Sequence, residues 1–209
     1  MNYYLFNPTG NITALINDET PAEDVMKAEP ACEQAGYLGE KEGFDIYLRM
    51  AGGEFCGNAT MCAAFLTGKE EATVFVEGTG PVTVRKCGER FSVKMPEPLE
   101  ITELEGYPLV RFEGIDHVIC EDGTLDDAKI SEWCLEKAMG FMYLDGSNLK
   151  PLVYVRDAGT LFWENSCASG TCAVGEYLKK AVRLKNPAGI LEYDNGWLTG
   201  TVELIRKVM

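Results

Sequence analysis

Short apolar runs broken by glycine turns set the pattern of this chain. Residues 72–86 (ATVFVEGTGPVTVRK) and 190–205 (ILEYDNGWLTGTVELI) read as strands joined by tight turns. Two stretches of small and apolar residues, 57–69 (GNATMCAAFLTGK) and 168–182 (ASGTCAVGEYLKKAV), read instead as helices. A third, 129–139 (KISEWCLEKAM), predicts an amphipathic helix with Ile130, Trp133, Cys134 and Leu135 on one side.

These elements recur in order. IYLRMAGGEFC (46–56) resembles VYVRDAGTLFWENSC (153–167), with Tyr47/Tyr154, Arg49/Arg156, Ala51/Ala158 and Gly52/Gly159 in step. Each copy leads into a cysteine, a small-residue turn, a helix and glycine-punctuated strands. LFNPTGNITALI at the start pairs with VRFEGIDHVICEDG, which puts Asn11 near His117. The pattern predicts a duplication with lobes 1–105 and 106–209, joined through the Pro- and Glu-rich stretch 96–108. The expected class is α+β, with two pseudo-symmetric lobes and a ligand cleft between them.

Composition narrows the function. The chain has 209 residues, 19 basic and 33 acidic, with a formal charge of −14. No basic patch is visible, so neither nucleic acid nor an anionic membrane is an expected partner. The first residues lack the features of a signal peptide and the apolar runs are far short of a membrane span, so a cytoplasmic protein with reduced thiols is expected. Eight cysteines stand beside one histidine. The spacings Cys56-x5-Cys62 and Cys167-x4-Cys172 do not suit a zinc site, and no metal is expected.

Cys56 and Cys167 occupy the same place in the repeat, each after a strand and before a helix. A helix start offers free N–H groups and a positive dipole end, which should stabilise a thiolate and lower its pKa. Gly57, Asn58, Ala168 and Ser169 leave the amides open to a carboxylate, and Asn58 and Ser169 are candidate N-caps. Under an approximate two-fold axis the two sulfurs face each other across the cleft. One thiolate and one thiol on opposite faces of a carbon is the arrangement that inverts it. Cys62 and Cys172 lie inside the helices and read as core, and Cys32, Cys87, Cys120 and Cys134 as structural.

Cys56-Gly57-Asn58, Glu164…Cys167-x2-Gly170-Thr171 and Thr9-Gly10-Asn11 resemble the diaminopimelate epimerases and their amino-acid racemase relatives, histidine-racemase-like members among them. The resemblance covers most of the chain. It implies two lobes, each a curved, mostly antiparallel sheet around a central helix, and cofactor-independent, PLP-free inversion at Cα by Cys56 and Cys167. It also implies an amino acid as the small-molecule partner, and a homodimer. Asn11, Gln34, Asn148 and Glu164 are similar to the family's side-chain contacts, and His117 falls near its Asn-Pro-His segment.

Departures cluster at the recognition end. Asn165 replaces the family's arginine after Glu164, the segment to Cys167 is short, Ala51-Gly52-Gly53 replaces an asparagine, and Ala59 and Ala168 stand where glycine is usual. The expected substrate is therefore an amino acid other than diaminopimelate. A genuine diaminopimelate epimerase, a phenazine-biosynthesis-type isomerase and an inactive amino-acid-binding relative stay open at this point.

Overall fold

A computed structural model describes residues 1–121, 123, 125–134, 138–155 and 160–209. Its first half runs β1 (Tyr3–Asn7), β2 (Thr13–Ile16), α1 (Ala22–Ala28), β3 (Gln34–Gly39), β4 (Ile46–Met50), α2 (Gly57–Thr67), β5 (Glu71–Val76), β6 (Gly80–Cys87) and β7 (Arg90–Lys94). The second half runs β8 (Glu100–Leu104), β9 (Tyr107–Arg111), β10 (Ile115–Cys120), α3 (Asp127–Trp133), β11 (Ala138–Asp145), β12 (Asn148–Val155) and β13 (Thr160–Trp163). It closes with α4 (Ala168–Leu178), β14 (Val182–Asn186), β15 (Gly189–Asp194), β16 (Trp197–Thr201) and β17 (Glu203–Val208).

The same succession of ladders occurs twice. β1–β2 is antiparallel, β2–β3 parallel, β3–β4 antiparallel, β4–β5 parallel, and β5–β6–β7 antiparallel. β9–β10, β10–β11, β11–β12, β12–β14 and β14–β15–β16 repeat that order, with β13 added beside β12. β7 pairs with β16 across the halves. The last strand, β17, crosses over to pair with β1, and β8, which opens the second half, pairs with β9. The architecture is α+β and rich in mostly antiparallel sheet.

Helices α2 and α4 are enclosed by these ladders. α2 buries eight consecutive residues, Gly57 to Ala64, as expected of a helix apolar on every face. β14 alternates buried Val182, Leu184 and Asn186 with exposed Arg183 and Lys185. That alternation turns Asn186 inward toward the start of α4. The crossing of β17 is pinned by charge: Glu29, buried at the end of α1, accepts from Tyr3 Oη (2.5 Å) and pairs with Arg206. Arg206 accordingly holds the Glu29 carboxyl below its usual range.

Two segments differ from the sequence expectation. The Pro- and Glu-rich stretch is a hairpin rather than a linker, with β8 and β9 turning at Glu105-Gly106, both at positive φ. The helix expected over 129–139 spans only Asp127–Trp133, capped by the Asp126 carboxylate, and Ala138 already begins β11. Ile130 and Cys134 are buried as expected, whereas Leu135 lies outside the described residues. Of the repeat matches, Arg156, Ala158 and Gly159 also lie outside them. No helix among the described residues is long and apolar enough to cross a membrane.

Candidate active site

Cys56 and Cys167 are the N-cap residues of α2 and α4, with nearly superposable backbones (φ −127°, ψ 109° and φ −122°, ψ 112°). Each sulfur accepts from the amide three residues on, Ala59 N at 3.4 Å and Gly170 N at 3.4 Å. Each cysteine carbonyl accepts a hydroxyl one turn on, from Thr60 (2.7 Å) and Thr171 (2.8 Å). The expected caps Asn58 and Ser169 lie instead in the first turn, because the cysteines themselves hold the extended cap conformation. Ser169 Oγ stands 3.6 Å from Cys167 Sγ.

The two helix starts touch. A Cβ on Gly57 would lie 3.1 Å from the Ala168 Cβ and 3.2 Å from Met95 Sδ, so glycine at 57 gives this approach room that a larger residue would take up. Asn11 and Asn58, both buried, reach from the first half to the second. Their amide nitrogens donate to the Ser166 carbonyl at 3.0 and 3.4 Å, immediately before Cys167. Asn186 Oδ1 accepts from Cys167 N at 3.2 Å.

Both cysteines line one cavity of about 1070 Å³, together with Asn11, Gln34, Gly57, Asn58, Glu164, Ala168 and Ser169. The cavity wall carries Glu23, Glu33, Glu54 and Glu164, and no Lys, Arg or His among the described residues. Burial pushes the Glu164 carboxyl up to about 8, with Glu33 and Glu54 adding to the effect. Glu33, raised by burial, accepts from Asn165 Nδ2 (2.5 Å) and Asn165 N (3.2 Å). Asn165 therefore acts on the cavity through Glu33, from behind its wall.

Burial also reverses the thiol expectation. It pushes Cys56 up to about 12 and Cys167 well above the ordinary thiol value, with Glu164 adding to the rise at Cys167. The amides of Ala59 and Gly170 act the other way, but the loss of water outweighs them.

Two predicted contacts lie elsewhere. Asn148, at the exposed start of β12, lines a separate cavity with Cys120 and Lys185. His117 is fully buried on β10, close to Phe112 (ring centroids 6.0 Å) and over Gly140, whose missing side chain leaves room for its Nδ1. Both ring nitrogens lack a partner among the described residues. Burial lowers its pKa to about 3, so it is neutral near pH 7. Its folded pKa lies below the unfolded value, so its contribution to stability is complete above about pH 6.5 and is lost as pH falls toward 3. His117→Leu should reduce the fall in stability between pH 7 and 4, by up to about 1.4 kcal/mol per pH unit. Urea unfolding at both pH values measures it; an unchanged acid dependence would contradict the burial argument.

Sequence reasoning missed Glu33, Glu54, Ser166 and Asn186. Thr60 and Thr171 were detectable, since Cys-x3-Thr recurs in both halves.

A profile of the histidine racemase CntK N-terminal domain matches residues 1–206. The chain belongs to this histidine racemase family. A histidine racemase from Fusobacterium nucleatum subsp. nucleatum is 34% identical over 251 aligned residues, covering 99% of this chain and 95% of the relative. The Staphylococcus aureus histidine racemase is 26% identical over 213, covering 82% and 77%. Among solved structures, a phenazine biosynthesis protein of the PhzF family from Enterococcus faecalis superposes with TM-score 0.64 at 17% identity, covering 99% of this chain and 98% of that one. A probable proline racemase from Agrobacterium radiobacter K84 gives 0.64 at 11%, covering 100% and 92%. These two likenesses carry the fold, which is diaminopimelate-epimerase-like. Membership of the histidine racemase family makes the protein an isomerase, an amino-acid racemase rather than a diaminopimelate epimerase.

Proposed function

We propose that this chain racemises histidine without PLP, using Cys56 and Cys167 as a two-base pair. The observation that carries the reading is the pair of cysteines at mirrored helix N-caps, opening on one acidic cavity. The substrate carboxylate sits against the starts of α2 and α4, where backbone amides and dipoles offset the charge that grows as Cα loses its proton. The thiolate of one cysteine takes the Cα proton, and the C–H electron pair stays on the carbon. The thiol of the other cysteine then delivers its proton from the opposite face. Each turnover exchanges which sulfur is protonated, so the two titrate as a coupled pair.

Substrate choice follows from the wall. Four glutamates, with no cation among the described lining residues, suit an ammonium and an imidazole that donates hydrogen bonds or carries positive charge. Asn165 stands where the diaminopimelate epimerases have arginine, and it presents the Glu33 carboxylate instead of a cation. A second carboxylate would meet repulsion there.

Residues 1–105 and 106–209 form the two lobes of this reading, supported by the repeated order of ladders. Cytoplasmic residence fits eight cysteines that are all free. A homodimer completes the reading.

The test is turnover in D2O with L-histidine, diaminopimelate and a panel of other L-amino acids. NMR follows loss of the Cα proton, and chiral chromatography follows inversion. Exchange with inversion is expected first and fastest for histidine. Preferred turnover of diaminopimelate or of a neutral amino acid would overturn the assignment of substrate.

A further inference from the structure

A chain of hydrogen bonds leads away from Cys56. Its Sγ donates to Gln34 Oε1 at 3.2 Å. Gln34 Nε2 donates to Thr13 Oγ1 at 2.9 Å, and Thr13 Oγ1 donates to the Asn11 carbonyl at 2.9 Å. Asn11 in turn donates to the Ser166 carbonyl, beside Cys167. Thr13 is fully buried in β2 and is not among the residues lining the cavity.

Proton counting gives this chain a direction. A threonine hydroxyl has one proton, and here it is committed to the Asn11 carbonyl. Its oxygen can therefore only accept from Gln34. The amide nitrogen must face Thr13, and the amide oxygen must face Cys56. An oxygen in that position accepts an S–H and repels a thiolate.

The second half has no counterpart. Thr13 and Gln34 are the first paired residues of the parallel β2–β3 ladder. The first pair of the matching β10–β11 ladder is Ile115 and Ala138, both apolar and both on the cavity wall. Near Cys167 stand the Glu164 carboxyl, which raises the thiol by charge and by a hydrogen bond, and Ser169, whose hydroxyl can donate to sulfur.

We propose that Thr13 is a positioning residue: by fixing the Gln34 amide it keeps the amide oxygen on Cys56 Sγ, where it accepts the S–H and favours the thiol. The other charged or titratable groups acting on Cys56 are Glu54, just before it, and Glu164, in the segment after β13; Cys62 lies farther along α2. None of these makes a hydrogen bond to Thr13, so a Thr13 substitution isolates the amide's orientation. The functional consequence rests on the two-cysteine reading, but the orientation can be measured without turnover.

Iodoacetamide alkylation of the intact protein across pH, with peptides quantified by mass spectrometry, yields the titration midpoint of Cys56. Thr13→Val frees the amide to turn its N–H toward sulfur, and the midpoint should fall by about one pH unit. Alkylation near neutral pH should then speed up by about threefold, since the rise in thiolate fraction is partly offset by lower nucleophilicity. Thr13→Ser keeps the hydroxyl and should restore the parent profile. Gln34→Met, at a half-buried position, removes the acceptor and should also lower the midpoint. A rise in Gln34→Met would mean that nitrogen had faced the sulfur. That rise, an unshifted Thr13→Val, or a Thr13→Ser that behaves like the valine variant would each overturn the proposal. Should Thr13→Val fail to fold, the sign in Gln34→Met decides. Loss of racemisation in cysteine variants is a separate result, so failure of the two readings can be told apart.

Discussion

Cys56→Ser and Cys167→Ser are each expected to lower racemisation by about a thousandfold or more, with little change in stability. Serine nearly matches cysteine in size and can still accept from the Ala59 or Gly170 amide, so the helix starts should keep their caps. What it cannot supply is a usable base, since its hydroxyl ionises far above any working pH. General acid–base catalysis contributes about 10²–10⁴-fold. Losing one partner of a coupled pair removes inversion altogether rather than half of it. The two variants should differ in a second measurement. Each should still wash deuterium into one enantiomer, the one whose Cα proton faces the surviving cysteine, without producing the other enantiomer. Exchange followed by NMR, alongside chiral analysis of both starting enantiomers, separates these outcomes. Full racemisation by either variant would reject the two-base scheme.

The acidic setting makes this loss severe. Burial holds Cys56 near 12 and Cys167 well above the ordinary thiol range, so neither sulfur ionises readily at neutral pH. In the two-base reading, the amides at the two helix starts and a cavity that excludes water from the bound substrate must supply the difference. A hydroxyl would need far more help than the same amides can give.

The cysteine pair was legible because local sequence sets a helix start. A cysteine before small residues, with threonine four positions later, caps a helix in either half, and the repeat shows it twice. The enclosed helices were legible for the same reason, since GNATMCAAFLT has no polar face. Positions decided by distant partners were not. Glu33 has its carboxylate held by Asn165, far along the chain, a contact that no local pattern announces. Asn186 became a cap partner through the alternation of β14. His117 gave no sign of being interior, because its place depends on the bare Gly140 in the neighbouring strand. The hairpin at 100–111 was hidden in a Pro- and Glu-rich stretch, because its residues pair with β10 rather than forming a local core. Asn148, similar to a family contact by its place in the sequence order, lines a separate cavity from the two cysteines.

Gly57→Ala is expected to reduce kcat by about a hundredfold, with rescue by a second substitution across the cleft. The added methyl would sit 3.1 Å from the Ala168 Cβ, closer than ordinary carbon contacts allow, and 3.2 Å from Met95 Sδ. Met95 ends in a flexible thioether that can move aside. Ala168 cannot, because its Cβ is fixed to the first turn of α4. The two helix starts must therefore separate by several tenths of an ångström, carrying Cys56 and Cys167 apart. A two-base transfer tolerates this poorly, since a misplacement of about 1 Å can cost about a hundredfold. Ala168→Gly alone removes a methyl without moving either cap and should have a small effect. Combined with Gly57→Ala it relocates the methyl from one helix to the other, and most of the lost kcat should return. The double-mutant cycle thus measures contact between the helix starts directly. Additive losses in the double variant would mean that Gly57 matters for the conformation of its own helix rather than for the spacing of the sulfurs. A strong rescue would place the distance between the two helix N-termini among the quantities that set the rate.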